Sequence, residues 1–148
     1  MIFKPVLIEK IIAGTKTVTR RPIDGRTHPN YECSYKPGKV YSIQPGMARP
    51  TVARIRVLAV ERTRLRTTFW DDFEASREGF PGPEEFEAYW RDLYGGKFDG
   101  DRWVWRIAFE LVEVVAQVCP CCDGKSVVPL TLAGVTMQWQ HGEATGAR

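Results

Sequence analysis

The chain has 148 residues, enough for one ordinary domain, and is 43% hydrophobic and 26% charged, which excludes a wholly disordered chain. No apolar run reaches the ~18 residues a membrane span needs. The opening Met1-Ile2-Phe3-Lys4-Pro5 lacks the basic-then-apolar layout of a signal peptide. The expectation is a cytoplasmic protein without membrane attachment, its four cysteines present as reduced thiols.

The elements follow in order. Pro5 opens a helix with the apolar stripe Leu7, Ile8, Ile11 and Ile12, and Gly14 stops it. Thr15 to Arg21 reads as a short strand rich in β-branched residues. A loop covers Pro22 to Lys36, Pro37-Gly38 is a turn, Val40 to Gln44 a strand, and Pro45-Gly46 a second turn. Thr51 to Arg62 alternates, with Ala53, Ile55, Val57 and Ala59 on a dry face and Arg54, Arg56 and Arg62 on a basic one. A helix is expected near Thr68 to Arg77, with Trp70 and Phe73 inward. Another starts at Pro83, has Glu84 and Glu85 in its first turn, and carries the stripe Phe86, Tyr89, Trp90 and Leu93 up to Gly95-Gly96. Trp103 to Glu113 is a strand with Trp103, Trp105, Ile107, Phe109 and Leu111 on one face. The order suits a mainly β, α+β fold: a small barrel or curled sheet closed by helices. Residues 1–113 form the domain and 114–148 an appendage without periodicity.

The net charge of +3 conceals two blocks. From Thr15 to Arg66 twelve Lys/Arg meet three Asp/Glu, a surplus of nine positive charges; from Thr67 to Glu113 five meet twelve, a surplus of seven negative ones. Such a division fits either a phosphate-attracting face or two solvated faces that attract each other.

The segment Gly14-Thr15-Lys16-Thr17-Val18-Thr19-Arg20-Arg21 concentrates a lysine, hydroxyls and two guanidiniums at one turn and strand. Thr17, Thr19 and Arg21 share a face, and the Gly14 turn frees Lys16 to aim toward Thr19. These groups suit a carbonyl oxygen, a phosphate or a base edge, or else form a basic strand end in solvent. The run Gly14-x-Lys16-x-x-Thr19-x-Arg21 resembles the Gly-x-Lys-x-x-Glu-x-Arg signature of ASCH domains, relatives of the PUA RNA-binding fold. The resemblance continues in order through "IIAG", "KPGKVYSIQPG", "ARIRVLAV", "EGFPGPEEFEAYWRDLYG" and "WVWRIAFELVE", over approximately residues 2 to 113. It implies a PUA-like β-barrel with flanking helices.

Thr19 stands where the signature has Glu. This variant is similar to a Lys-Thr-x-Thr branch that includes amidohydrolases removing the acyl group from N4-acetylcytidine. Carried over, that branch's catalytic lysine, threonine and glutamate fall on Lys16, Thr19 and Glu78. Threonine is a poor nucleophile unless a base takes its proton. Lysine, with an ordinary pKa of about 10.4, serves as that base only when burial or neighbouring cations depress it. Arg20 and Arg21 stand beside it for that purpose, and Glu78 is the acid for the leaving amine. The resemblance implies RNA or a small modified nucleoside as partner and no required cofactor. A non-catalytic RNA-binding module and a protein-interaction domain are the alternatives.

Other candidates lie outside the signature. Arg54 and Arg56 point away from the core as phosphate contacts, and Tyr41, Trp70 and Trp103 are stacking platforms for a base, or simply core aromatics. Cys119-Pro120-Cys121-Cys122-Asp123-Gly124 resembles half of a zinc knuckle, with Cys119 and Cys122 as ligands. Completion of a zinc site needs Cys33, His141 or another chain; otherwise these are idle thiols.

Overall fold

A computed structural model describes residues 1–23, 32–68 and 72–115. Its elements are α1 (Pro5–Ile12), β1 (Val18–Pro22), β2 (Val40–Ile43), β3 (Ala53–Arg64), a 3-10 turn (Leu65–Thr68), α2 (Asp72–Arg77), α3 (Pro83–Tyr94) and β4 (Trp103–Val114). The strands form one antiparallel sheet in the order β1-β4-β3-β2, so the expected α+β architecture is observed. A parallel bridge from Ile2 to Gln44 fastens the N-terminal segment beside β2. No helix among the described residues is long and apolar enough to cross a membrane.

The ends of α1 and α2 place the two key polar residues, and each end is turned by a glycine. At the end of α1, Thr15 N–H donates to Lys10 O and Gly14 N–H to Ile11 O, with Gly14 at φ +78°. At the end of α2, Phe80 N–H donates to Ala75 O and Gly79 N–H to Ser76 O, with Gly79 at φ +90°. Both are Schellman caps, in which a left-handed residue lets the last carbonyls find partners. The first cap delivers the chain to Lys16 and the second to Glu78. A bond from Thr17 N–H to Arg77 O, 2.8 Å, ties the two corners together.

The α1 stripe packs Leu7, Ile8 and Ile11 with Phe3 against Ile43, Val52, Ala53, Ile55 and Phe109 of the sheet region. A second cluster joins Phe86 and Trp90 of α3 to Leu65 and Val104, and a third joins Cys33, Val57 and Ile107. Each fully buried large apolar side chain contributes about 1.5–3 kcal/mol. Covered from several sides, β4 buries Val104 and Ala108 as well as Ile107 and Phe109, which departs from the single dry face expected of it. Trp103 is exposed instead, with the Arg62 and Arg64 guanidiniums 4.7 and 3.9 Å from its ring centre.

Alternation in β3 holds through Val57 and then slips. A register shift between Val57 and Ala59 sets Leu58 outside the pairing, and Ala59 is only half-buried. An extra residue of this kind breaks the period-2 pattern on which the four-residue dry face rests. The expected inward Phe73 is also corrected: it is 69% exposed, with Arg77 stacked over its ring, while Ala75 faces the core. In a helix as short as α2, residues two apart point to nearly opposite sides. Trp70, Cys119, Cys122, His141 and most of the expected 114–148 appendage lie outside the described residues.

Candidate functional site

The N-terminal strap, β1, the corner after α2 and α3 enclose a cavity of about 210 Å³. Its walls are mainly apolar, with the aromatic Phe3, Phe80, Tyr89, Trp90 and Tyr94 among them, and its polar groups include Lys16, Thr19, Arg20, Arg21 and Glu78. Apolar walls with a few convergent polar groups are the usual build of a small-molecule site, although ~300–1,000 Å³ is more typical of one. The space suits one small molecule or the reacting end of a larger one.

Lys16 is the centre of the polar end. It is 2% exposed, and its ammonium donates to Val18 O at 2.7 Å, Glu78 O at 2.7 Å and Glu78 Oε2 at 2.9 Å. All three of its donors are therefore engaged. The Schellman cap explains the approach to Glu78: with Gly79 turning the chain, the Glu78 carbonyl is left for a side-chain donor. A Cβ on Gly79 would stand 3.1 Å from Lys10 Cδ and 3.4 Å from Lys16 Cβ, so the corner closes on both lysine stems. Lys10 donates from its own ammonium to Gly79 O.

Burial pushes the Lys16 ammonium below its ordinary pKa, and the Arg21 and Arg20 charges push the same way, while the Glu78 carboxylate opposes them. The expectation that Lys16 aims at Thr19 is corrected, since its hydrogen bonds go to Glu78 and Val18. Lys16 is also among the largest fully buried side chains, so its removal disturbs packing as well as charge. Thr19 is itself buried and lines the cavity. Its hydroxyl makes no hydrogen bond to a described residue.

Behind Glu78 stands a ladder of opposite charges. Arg20, its side chain 1% exposed, bridges Glu78 Oε1 at 2.9 Å and Glu74 Oε2 at 3.1 Å. Glu74 also accepts two bonds from Arg106, at 2.7 and 2.8 Å, and one from Arg77 at 3.1 Å. Arg106 reaches on to Glu61 at 3.1 Å. Hydrogen bonds from Arg106 first, then the neighbouring guanidinium charges, hold the Glu74 carboxyl at about 2, against an ordinary 4.5. Arg21 is anchored differently, donating to Ile2 O at 2.7 Å with its guanidinium 5.1 Å from the Phe3 ring centre.

The remaining candidates are elsewhere. Arg54 pairs with Glu113 and Arg56 with Glu110 across the β3–β4 ladder, and neither lines the cavity. The basic face of β3 is thus matched there by carboxylates. Tyr41 accepts a bond from Lys36 N–H at 2.8 Å and packs edge-on to Tyr35, also away from the cavity. Cys33 is a free, buried thiol whose pKa burial raises, and no three potential metal ligands cluster among the described residues. Sequence reasoning misses Glu74 and Arg106. The only signal is the i, i+4 spacing of Glu74 and Glu78, which puts two carboxylates on one side of a helix end.

No family model matches the chain, and neither does any curated protein. Several solved structures do. The chain is 21% identical to protein EF3133 from Enterococcus faecalis V583, of the family DUF984, over 75% of this chain and 72% of that one, with a TM-score of 0.53. It is 15% identical to an ASCH domain from Lactobacillus crispatus JV V101, over 73% and 71%, with a TM-score of 0.58. It is 19% identical to the hypothetical protein PH0355, over 76% and 96%, with a TM-score of 0.55. At these identities the likeness is one of fold: the chain folds as the ASCH domain does, with an antiparallel sheet and helices around the Lys16–Glu78 cavity.

Proposed function

We propose that the protein is an amidohydrolase that removes the acyl group from an N4-acylated cytosine nucleoside, with Lys16, Thr19 and Glu78 as its catalytic residues. The observation that carries this reading is the buried Lys16–Glu78 pair, which lines one cavity together with the buried Thr19 and several aromatic side chains. The aromatic walls suit a planar base, and the polar end suits its amide.

The chemistry turns on one proton. In the ion pair it sits on Lys16, 2.9 Å from Glu78 Oε2. Burial weakens the hold of the Lys16 amine on that proton, which suits Lys16 to pass it on and take another. Glu78 Oε1 stays bonded to Arg20 throughout. The pair then works as a relay. It accepts the proton of the attacking oxygen, from Thr19 or from a water held on it, and delivers one to the departing amine. Acyl transfer to Thr19 leaves an ester that water hydrolyses; direct attack by water releases the acid in one stage. Mass spectrometry of protein quenched during turnover separates the two, since only the first adds an acyl mass at Thr19.

The test is release of cytidine from N4-acetylcytidine and related acyl nucleosides. Turnover by the wild type, lost in Thr19→Ala and partly kept in Thr19→Ser, is the expected result. Tight RNA binding with no turnover would favour the non-catalytic module instead. The ion pairs on Arg54 and Arg56 count against a long phosphate track along that strand.

A further inference from the structure

Glu74 has no place in the proposed reaction, yet it gathers more charge than any other carboxylate near the cavity. Three guanidiniums converge on it, from β1 (Arg20), from its own helix (Arg77) and from β4 (Arg106). The sheet makes this possible, because Arg20 and Arg106 are directly paired residues of β1 and β4. Arg106 is in turn paired with Glu61 of β3. Arg20 therefore lies across two carboxylates one helical turn apart, and only one of them, Glu78, touches Lys16.

We infer that Glu74 is a positioning residue for the Lys16–Glu78 pair: it holds Arg20 across both carboxylates, and so fixes where Glu78 lies and how much positive charge Lys16 faces. The inference rests on the proposed role of Lys16 and Glu78 as working groups, but its test does not require turnover. Without the Glu74 charge, Arg20 would bear undivided on Glu78 and Lys16. Besides Glu78 and Arg20, the charged group acting on Lys16 is Arg21 of β1, and the Phe3 ring centre lies 5.8 Å from its ammonium; Lys4 and Tyr89 of α3 line the same cavity, and the substitution leaves all of them in place. Glu74 itself faces Arg106, Arg77 and, through Arg106, Glu61.

The experiment is a pH titration of the Lys16 side chain by NMR, using lysine labelled at Cε and assigning the signal by its loss in Lys16→Met. Glu74→Gln should lower the Lys16 midpoint by up to about one pH unit, since it acts through Arg20 and not by direct contact, where a charge is worth about 1–3 units. Mere loosening of the structure would do the opposite, since water entering the site would return Lys16 upward toward about 10.4. Should Glu74→Gln alone fail to fold, the same comparison is made between Arg106→Gln and Glu74→Gln/Arg106→Gln, with the lower midpoint expected in the double variant. A midpoint that stays or rises when the Glu74 charge is removed overturns the inference. In the hydrolysis assay the alkaline rise of kcat/KM should move down with the midpoint. If no acyl nucleoside is turned over, the hydrolytic reading fails and the titration still decides the role of Glu74. If turnover is present and the midpoint is fixed, the role of Glu74 falls alone.

Discussion

Two sets of Arg–Glu pairs stand on the same sheet and have very different surroundings. On β3 and β4, Arg54–Glu113 and Arg56–Glu110 are cross-strand pairs with side chains about half exposed. Where β1 meets α2, Arg20 and Glu78 form a pair with side chains 1% and 3% exposed, joined to Lys16 and Glu74. Solvent screens the first set, and exposed pairs of this kind contribute about 0.2–1 kcal/mol each. In the second set each charge has been taken out of water and depends on its partners for compensation. The same residue types form half-exposed pairs in one region and a buried network in the other, and burial makes the difference.

The sharpest way to break the contrast is at Lys16. Lys16→Met keeps most of the stem and removes the ammonium, and hydrolysis should fall by about 10²–10⁴-fold, the usual worth of a general acid–base group. Rate measurements on folded variant protein check it.

Glu78→Gln comes next and is read in stability. It leaves Lys16 and Arg20 buried without their shared carboxylate, and losing one partner of a buried pair costs about 3–5 kcal/mol. Urea unfolding at neutral pH measures the loss.

Acid should reach the buried ladder through Glu74. Its folded pKa of about 2 lies below its ordinary 4.5, so its contribution is complete above about 4.5 and is lost as pH falls toward about 2. Unfolding curves from pH 7 to pH 3 should therefore be flatter in Glu74→Gln than in the wild type, and less stable at the neutral end.

Gly79→Ala tests the corner itself. A left-handed residue with a Cβ costs about 1–2 kcal/mol, and here the added atom also meets the Lys10 and Lys16 stems. Stability should fall by that amount, and hydrolysis should fall with it as Lys16 shifts.

The exposed pairs give the smallest effect. Arg54→Ala and Arg56→Ala should each cost about 1 kcal/mol or less, with the loss shrinking further in high salt. A loss of several kcal/mol from either would erase the contrast between the two regions.

Much of this architecture is legible in the residues. Pro5 and Gly14 bracket α1, and Pro83 with Glu84 and Glu85 opens α3, because these signals act locally through φ, capping and the helix dipole. The meeting of Lys16, Thr19 and Glu78 in one cavity comes from the motif resemblance, since nothing local couples residues some sixty positions apart. What escapes is set by tertiary context. The slip at Leu58 has no marker in the alternation around it. Phe73 reads as a core residue by hydrophobicity, yet the inward position on α2 belongs to Ala75. The bonding of Glu74 to Arg106 depends on the β1–β4 register, which pattern alone does not specify.

The most direct measurement compares cytidine release from N4-acetylcytidine by Lys16→Met and by the Arg54→Ala/Arg56→Ala double variant, each beside the wild type. The expected result is near-complete loss in the first and wild-type turnover in the second. Full activity in Lys16→Met, or loss confined to the double variant, would contradict the assignment of the chemistry to the buried cavity.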